Sequence, residues 1–343
     1  MAHINLNKKS FFHNLDIIAQ VASAKDKIAV VLKDNAYGHG LVEMASMAQE
    51  YGIKNAVVRT HQEALHVSEF FETILVLADI SLTPIKNANY TINALASIKH
   101  FSAGTNVEIK TDTGMHRNGV KIEELEEAFL LCKKQGLHVK GVFTHHASAD
   151  ELSSEWFVQE QNFKDIKEKA LEIAQKEGIN KLRFHSQNSA ALFRAGECSH
   201  DMARVGIAIY GCLEQNEVIY QSSNSHDALK PVLSLWASRI SSRILKAKER
   251  IGYGGTYTAS EDMQVGNYDL GYADGLLRSA SNKHVTPKGY KILGRISMDN
   301  VNLNCDEEEI CIFDDANSYA QSAGTIGYEV LTSMREYITR RIG

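Results

Sequence analysis

From about residue 28 to residue 210, short β-branched or apolar runs alternate with stretches whose apolar residues recur at helical spacing. That order builds a parallel sheet through βαβ crossovers. Eight runs can be counted, near Ile28–Lys33, Asn55–Thr60, Ile74–Ala78, Tyr90–Asn93, Val107–Lys110, Val139–Thr144, Leu182–His185 and Val205–Tyr210. Between them, Leu41, Met44, Ala45 and Ala48 mark one helix face stopped at Gly52, and Ile122 to Gln135 reads as a helix ended by Gly136. Eight such units predict an α/β fold, a closed (β/α)8 barrel of the TIM type. After Tyr210 the texture changes. Glu214 to Asp227 is mostly polar, and from Pro231 onward the strand-like runs Leu233–Ile240, Ile292–Ile296 and Ile310–Phe313 stand between Gly- and Asp-bearing turns. A C-terminal β-rich domain is predicted, packed firmly on the barrel because no Pro- or Ser-rich linker intervenes.

At 343 residues the chain exceeds the length at which one core stops growing, which agrees with a large domain plus a smaller one. The 44% hydrophobic and 23% charged fractions exclude a disordered chain, and no segment approaches the ~20 apolar residues of a membrane span. Lys and Arg total 37 against 42 Asp and Glu, a net charge of -5 that argues against a nucleic-acid partner. Five cysteines without a C-x-x-C pair suggest reduced core thiols, neither a disulfide framework nor a zinc ribbon. The first twenty residues place no uninterrupted apolar stretch behind a basic end, so a cytoplasmic location is expected.

The first predicted strand ends in V-L-K-D-N-A-Y-G-H-G, which places Lys33 at the C-terminal mouth of the barrel, where βα loops hold functional groups. Position alone reads equally as a snorkelling surface lysine. Tyr37 follows four residues later, and Gly38 and Gly40 flank His39, predicting flexible backbone near an amine and a phenol. A dinucleotide fingerprint is incomplete, since residue 43 is Glu. His145, His146 and His185 fall at strand ends, but neighbours on a strand face opposite ways and no His-x-His occurs, so no metal is expected.

The stretch around Lys33 resembles the cofactor-lysine motif of the bacterial alanine racemases, enzymes that use pyridoxal 5′-phosphate (PLP) on a barrel joined to a β domain. Similar motifs follow in order: E-I-K-T-D-T-G-M-H-R-N-G from Glu108, T-H-H-A from Thr144, H-S-Q-N-S-A from His185 and M-A-R-V-G-I-A-I-Y-G from Met202. G-Y-G-G-T-Y from Gly252, G-Y-A-D-G from Gly271, G-R-I-S-M-D from Gly294 and T-I-G-Y-E from Thr325 complete the series. The resemblance implies that Lys33 carries PLP through its amine and serves as one proton-transfer base, with Tyr253 as the opposite one. A Schiff-base lysine suits both tasks when desolvation lowers its pKa. An unperturbed phenol titrates near ~10, so the site must favour the phenolate.

By the same resemblance Arg204 donates to the pyridine nitrogen of PLP, and a guanidinium, having no acceptor, leaves that nitrogen unprotonated. The cofactor is then a poorer electron sink, which favours racemisation over transamination. Tyr37, Ser189, the backbone N–H groups of Gly206 and Ile207, and Tyr328 would hold the phosphate; taken alone, Ser189 reads as a helix N-cap. His145 and His185 would orient Arg204 and Tyr253 or lie beside the ring. Arg117 would contact the cofactor's phenolic oxygen and the substrate, held by a carboxylated Lys110. The Met298 backbone N–H would bind the substrate carboxylate, with Tyr272, Arg295, Asp299 and Ile326 near the entrance. Ser297 stands where many relatives have Cys, Gly255 where they usually have Ala and His116 where Gly is common.

The implied function is PLP-dependent racemisation of L- and D-alanine by two bases, supplying D-alanine for peptidoglycan. A homodimer is implied, each site joining the barrel of one subunit to the β domain of the other. Residues 1–7 would form an N-terminal strand packing with the C-terminal domain, 8–224 the PLP-binding barrel and 225–343 the β domain. Competing readings are a broad-specificity or serine-accepting racemase, because a methylene or hydroxyl discriminates only modestly, and a barrel-type PLP decarboxylase. A non-catalytic PLP-binding homeostasis protein is the competitor of a different class, and the second domain and Tyr253 argue against it.

Overall fold

Ile28, Ala29, Val30 and Val31 are all buried, so their strand is covered on both faces, as a parallel sheet between layers requires. The computed structural model, which describes residues 1–80, 83–214, 219 and 229–343, places this strand in a ring of eight. An N-terminal strand β1 (His3–Leu6) and helix α1 (Lys8–Ala22) come first. The ring follows: β2 (Ile28–Val31), β3 (Asn55–Val58), β4 (Thr73–Val76), β5 (Ala88–Ile92), β6 (Asn106–Lys110), β7 (His138–Phe143), β8 (Arg183–His185) and β9 (Ala203–Val205). Neighbours pair in parallel from β9 through β2 to β8. Between β8 and β9 the ring is joined by Asp201 N–H to Phe184 O at 3.0 Å and Arg204 N–H to Gln187 O at 2.9 Å. The fold is thus the (β/α)8 type that the alternation predicts.

One predicted run is displaced. The eighth strand is Ala203–Val205, not Val205–Tyr210; Gly206 to Tyr210 turn, with Ile209 N–H bonded to Gly206 O at 3.0 Å. Ile207, Ala208, Ile209 and Tyr210 are buried all the same, and an apolar run that fills the core reads alike whether extended or turned.

A single turn α2 (Lys33–Tyr37) follows β2 at the barrel mouth, and the outer layer contains α3 (Leu41–Tyr51), α4 (His61–Val67), α5 (Leu125–Lys134), α6 (Glu155–Glu177) and α7 (Ser189–Ala195). Gly52 stops α3 at φ 99, its N–H bonded to the Ala48 and Gln49 carbonyls. Thr60 and Glu63 open α4 with a reciprocal capping box. The helix predicted over 122–135 is split into a 3₁₀ turn, Ile122–Glu124, and α5. After β5 a 3₁₀ segment, Leu95–His100, takes the place of a helix.

The second domain contains β10 (Leu233–Leu245), β11 (Arg250–Ile251), β12 (Tyr257–Thr258), β13 (Met263–Tyr268), β14 (Val301–Leu303), β15 (Glu309–Phe313), α8 (Ala316–Ala323), α9 (Gly327–Ser333) and β16 (Thr339–Ile342). Its main sheet runs β14-β13-β10-β1-β16, with β15 also on β10, so the first strand of the chain is seated in this domain. The run Ile292–Ile296 is no strand: only Ile292 bridges Leu303, and Gly294 turns the chain at φ 74. One apolar core runs from Ile209 and Tyr210 of the barrel to Leu233, Leu235 and Phe313 of the β domain. Buried Asn14 clips the junction, donating to Ile209 O at 3.1 Å and Lys230 O at 2.8 Å. The predicted boundary at 224/225 and the polar stretch around it, residues 215–227 apart from Ile219, lie outside the described residues. All five cysteines are buried and free, and no described helix is long and apolar enough to cross a membrane.

Candidate active site

Lys33 follows β2 by two residues and enters a turn that L-amino acids avoid. Asp34, Asn35, Ala36 and Tyr37 all have φ between 50 and 54, and Gly38 follows at φ 76. Left-handed turns cost about 1–2 kcal/mol per residue, so they persist only where surrounding bonds over-determine them. Here the Glu63 carboxylate accepts from Asp34 N–H at 2.7 Å, Asn35 Oδ1 accepts from Leu41 N–H at 2.8 Å, and Arg340 donates to Gly38 O at 2.8 Å. Gly38 also supplies a close fit: a Cβ there would strike the Leu331 carbonyl of α9. The result is a rigid mount for two side chains. Lys33 Nζ lies 3.2 Å from Asp34 Oδ2 and 5.7 Å from the Tyr37 ring centroid. Burial would raise the Asp34 carboxyl, but Arg59, bonded at 3.0 Å, and Lys33 override it and hold it below its usual range. Burial, then the Asp34 charge, push the Tyr37 phenol up, so it stays a neutral donor.

Arg204, at the centre of β9, is buried with a shell of neutral acceptors. One terminal nitrogen donates to His185 Nδ1 at 2.5 Å and His185 O at 3.3 Å. The other donates to Thr144 O at 2.6 Å and Ser186 O at 2.9 Å, and lies 3.4 Å from His145 Nδ1. The Nε–H has no acceptor among the described residues, while the side chain lines the large cavity at the barrel mouth. Burial pushes the Arg204 pKa down only to about 10, so it is a cation at neutral pH. Burial pushes His185 down to about 3, against the pull of Glu108, and holds His145 well below the ordinary value, so both imidazoles are neutral.

That cavity, about 910 Å³, is lined by Lys33, Tyr37, Lys110, Arg117, His145, Ser189, Arg204, Gly206, Ile207 and Tyr328 among others. His185 stands behind Arg204. Asn188, not Ser189, caps α7, its side chain accepting from Ala191 N–H at 2.9 Å. The Ser189 hydroxyl is thereby left to accept from Gly206 N–H at 3.0 Å and Ala208 N–H at 3.4 Å. His145 and His146 diverge: the first turns to Arg204, the second to Glu160 on α6 at 2.8 Å. Burial, then Arg117 and Arg204, push the Lys110 amine down to about 8.

Other sequence-predicted residues are not brought to this cavity. Tyr253 is 69% exposed and Met298 54% exposed on the β domain, where Tyr253 lines a separate cavity with Arg250 and Ser297. Tyr272 N–H bonds Ser297 O at 3.0 Å, so it shares that region. Arg295 reaches Gly254 beside Tyr253, and Asp299 follows Met298. Ile326 is exposed ahead of α9. One buried carboxylate was passed over in the sequence. Glu108 shares a face of β6 with Lys110 and lies 2.6 Å from His185 Nε2; a Glu-x-Lys alternation inside an apolar strand was its signal.

A (β/α)8 barrel fused to a β domain, with a strand-end amine and a buried guanidinium sharing the cavity at its mouth, defines a two-domain barrel enzyme. Residues 6–214 match the family model of the alanine racemase N-terminal domain, and residues 232–342 that of the alanine racemase C-terminal domain. The alanine racemase of a Nitratiruptor species is 48% identical over 341 residues, 99% of each chain. That of Campylobacter concisus is 43% identical over 344 residues, again 99% of each. Among solved structures, alanine racemase from Bacillus anthracis with bound L-Ala-P superposes with a TM-score of 0.86 at 26% identity, covering 100% of this chain and 95% of that one. Alanine racemase from Clostridium difficile 630 gives a TM-score of 0.85 at 26% identity over the same shares. The chain belongs to the alanine racemase family.

Proposed function

We propose that this chain interconverts L- and D-alanine with PLP held in the Lys33 cavity, residues 8–224 forming the barrel and residues 1–7 joining the β domain of 225–343. The observation that carries this reading is the donor set. Arg204, whose Nε–H has no acceptor among the described residues, lines the cavity, and Ser189, Tyr37 and the backbone of Gly206 and Ile207 line it too as neutral hydroxyl and amide groups suited to a phosphate, with Tyr328 beside them. A Cβ on Gly206 would stand 2.8 Å from the Tyr37 hydroxyl and crowd that space. The residues fit the cofactor. When bound, PLP supplies an electron-withdrawing ring that acidifies the Cα–H of the amino acid attached to it.

The chain's own groups do the rest. Lys33 anchors the cofactor and takes or returns the Cα proton on one face. Tyr253 serves the other face, because one group cannot easily remove a proton from one side and replace it on the other. Arg204 is a donor with no lone pair, backed by neutral imidazoles, so it would offer a hydrogen bond to the cofactor's ring nitrogen and could not accept one from that nitrogen in protonated form. Racemisation is favoured over transamination on this account. Arg117 and the Met298 N–H bind the substrate carboxylate, and Tyr272, Arg295, Asp299 and Ile326 border the entrance. Exposed Tyr253 and Met298 support an isologous homodimer in which each β domain completes its partner's cavity. The reaction belongs to the cytoplasm and supplies D-alanine for peptidoglycan. Pure L-alanine incubated with PLP-loaded protein should lose its optical rotation completely; unchanged rotation despite bound PLP would overturn the proposal.

Lys110 gives a second test. An amine pushed down to about 8 is partly uncharged near neutral pH and can add CO₂, releasing a proton. The carbamate replaces a cation that repels Arg117 with an anion that pairs with it. Carbon-13 bicarbonate should yield a carbamate resonance that grows as pH rises through about 8 and is missing in Lys110→Ala. A spectrum without that resonance at any pH would exclude the modification.

A further inference from the structure

Every acceptor that holds Arg204 is neutral, and the carboxylate stands one residue further back. Glu108 is fully buried on β6. Its Oε2 lies 2.6 Å from His185 Nε2, and its Oε1 accepts from Asn89 at 2.7 Å and pairs with Arg183. A guanidinium has no lone pair, so in the 2.5 Å contact between Arg204 and His185 only Nδ1 can accept. The single proton of the neutral ring must then sit on Nε2, where it donates to Glu108. With the proton on Nδ1, two donors would confront each other at that distance.

Other contacts fix the ring but not its proton. Phe143 stacks on His185 at 4.7 Å and 13°, which sets the plane of the imidazole and leaves the tautomer open. Gly141, paired with Glu108 on β7, keeps the space beside the carboxylate open: a Cβ there would lie 2.6 Å from the Arg183 carbonyl oxygen and 3.0 Å from Glu108 Oε2. Burial would raise the Glu108 carboxyl, but Arg183 and His185 outweigh it and keep it ionised. An ionised carboxylate accepts only, so it selects one tautomer and offers no alternative.

We infer that Glu108 is a positioning residue for the reaction, holding the His185 proton on Nε2 so that Nδ1 anchors Arg204 with its Nε–H turned to the cavity. The importance of that donor rests on the proposed function, but the tautomer can be measured without it. Ring nitrogen-15 labelled histidine in the cofactor-free protein should show His185 as the Nε2–H form, the signal being assigned by its loss in His185→Phe. Glu108→Leu should convert it wholly or partly to the Nδ1–H form, with the Arg204 contact at Nδ1 lost in that fraction. Glu108→Gln keeps the shape without the charge, and should move the Nε2 proton resonance upfield.

The loaded enzyme supplies the second readout. Glu108→Gln should lower kcat about 10- to 100-fold with KM held within about twofold, as loss of a ligand-orienting partner does elsewhere. In a His185→Phe background the same substitution should cost less than about twofold, because the path through His185 is already broken. A folded Glu108→Leu protein that retains the Nε2–H form, or equal losses in both backgrounds, would overturn the inference. If Glu108→Leu does not fold, an unmoved Nε2 proton in Glu108→Gln overturns it instead. Wild-type protein that leaves L-alanine unchanged would refute the proposed function, and the tautomer result would still decide the role of Glu108.

Discussion

Lys33→Ala should lower kcat/KM for alanine by at least about 10³–10⁴-fold, because on the proposed function the substitution removes both the covalent anchor and one proton-transfer base. Lys33 reaches the cavity from a turn whose four left-handed residues are tied by Glu63, Asn35 and Arg340, so no neighbouring residue can slide into its place. Borohydride treatment of PLP-loaded wild-type protein, followed by peptide mapping, should find the pyridoxyl label on Lys33. The competitor is Lys110, whose amine lines the same cavity and is pushed down to about 8. A label on Lys110, or undiminished activity in Lys33→Ala, would rule out the assignment.

Mixing two inactive variants should restore activity. Tyr253 is 69% exposed and lines a cavity apart from that of Lys33, so a lone chain does not unite the two proposed bases. Lys33→Ala and Tyr253→Phe are each expected to be nearly inactive as homodimers. After subunit exchange, a mixed dimer carries one site with both lesions and one site with neither. Random mixing makes half the dimers mixed, and half of their sites are whole, so roughly a quarter of wild-type activity should return if the sites are independent. No recovery after demonstrated exchange would mean that both bases come from one chain, and the shared-site proposal would fall.

The strands of the barrel were legible in number and nearly in place, because a strand covered on both faces must be apolar throughout and stands out from amphipathic helices. Their ends were less legible. Val205–Tyr210 is buried throughout, as are Ile292, Leu293 and Ile296, and burial does not distinguish an extended run from a turn at Gly206 or Gly294. Lys33, Tyr37, Lys110, Arg117, His145, Ser189, Arg204 and Tyr328 could be picked out as motif residues, and they converge on one cavity. Glu108 lay in the same motif unnoticed, since a carboxylate on a strand reads as surface until its burial beside Arg183 and His185 is seen.

By itself the amino-acid sequence determined the barrel, the added β domain and the family, and it marked the candidate site residues. These follow from local patterns and from motifs that need no distances. Only the tertiary structure decided that Asp34 to Tyr37 wind left-handed, that Asn188 caps α7 and leaves the Ser189 hydroxyl to the Gly206 and Ala208 amides, and that Tyr253 sits away from Lys33 in its own chain. The same holds for the meeting of Arg204, His185 and Glu108 and for the lowered Lys110 amine. Each depends on which groups from distant strands meet in a buried, weakly screened space, where a hydrogen bond or a neighbouring charge outweighs any residue's own preference.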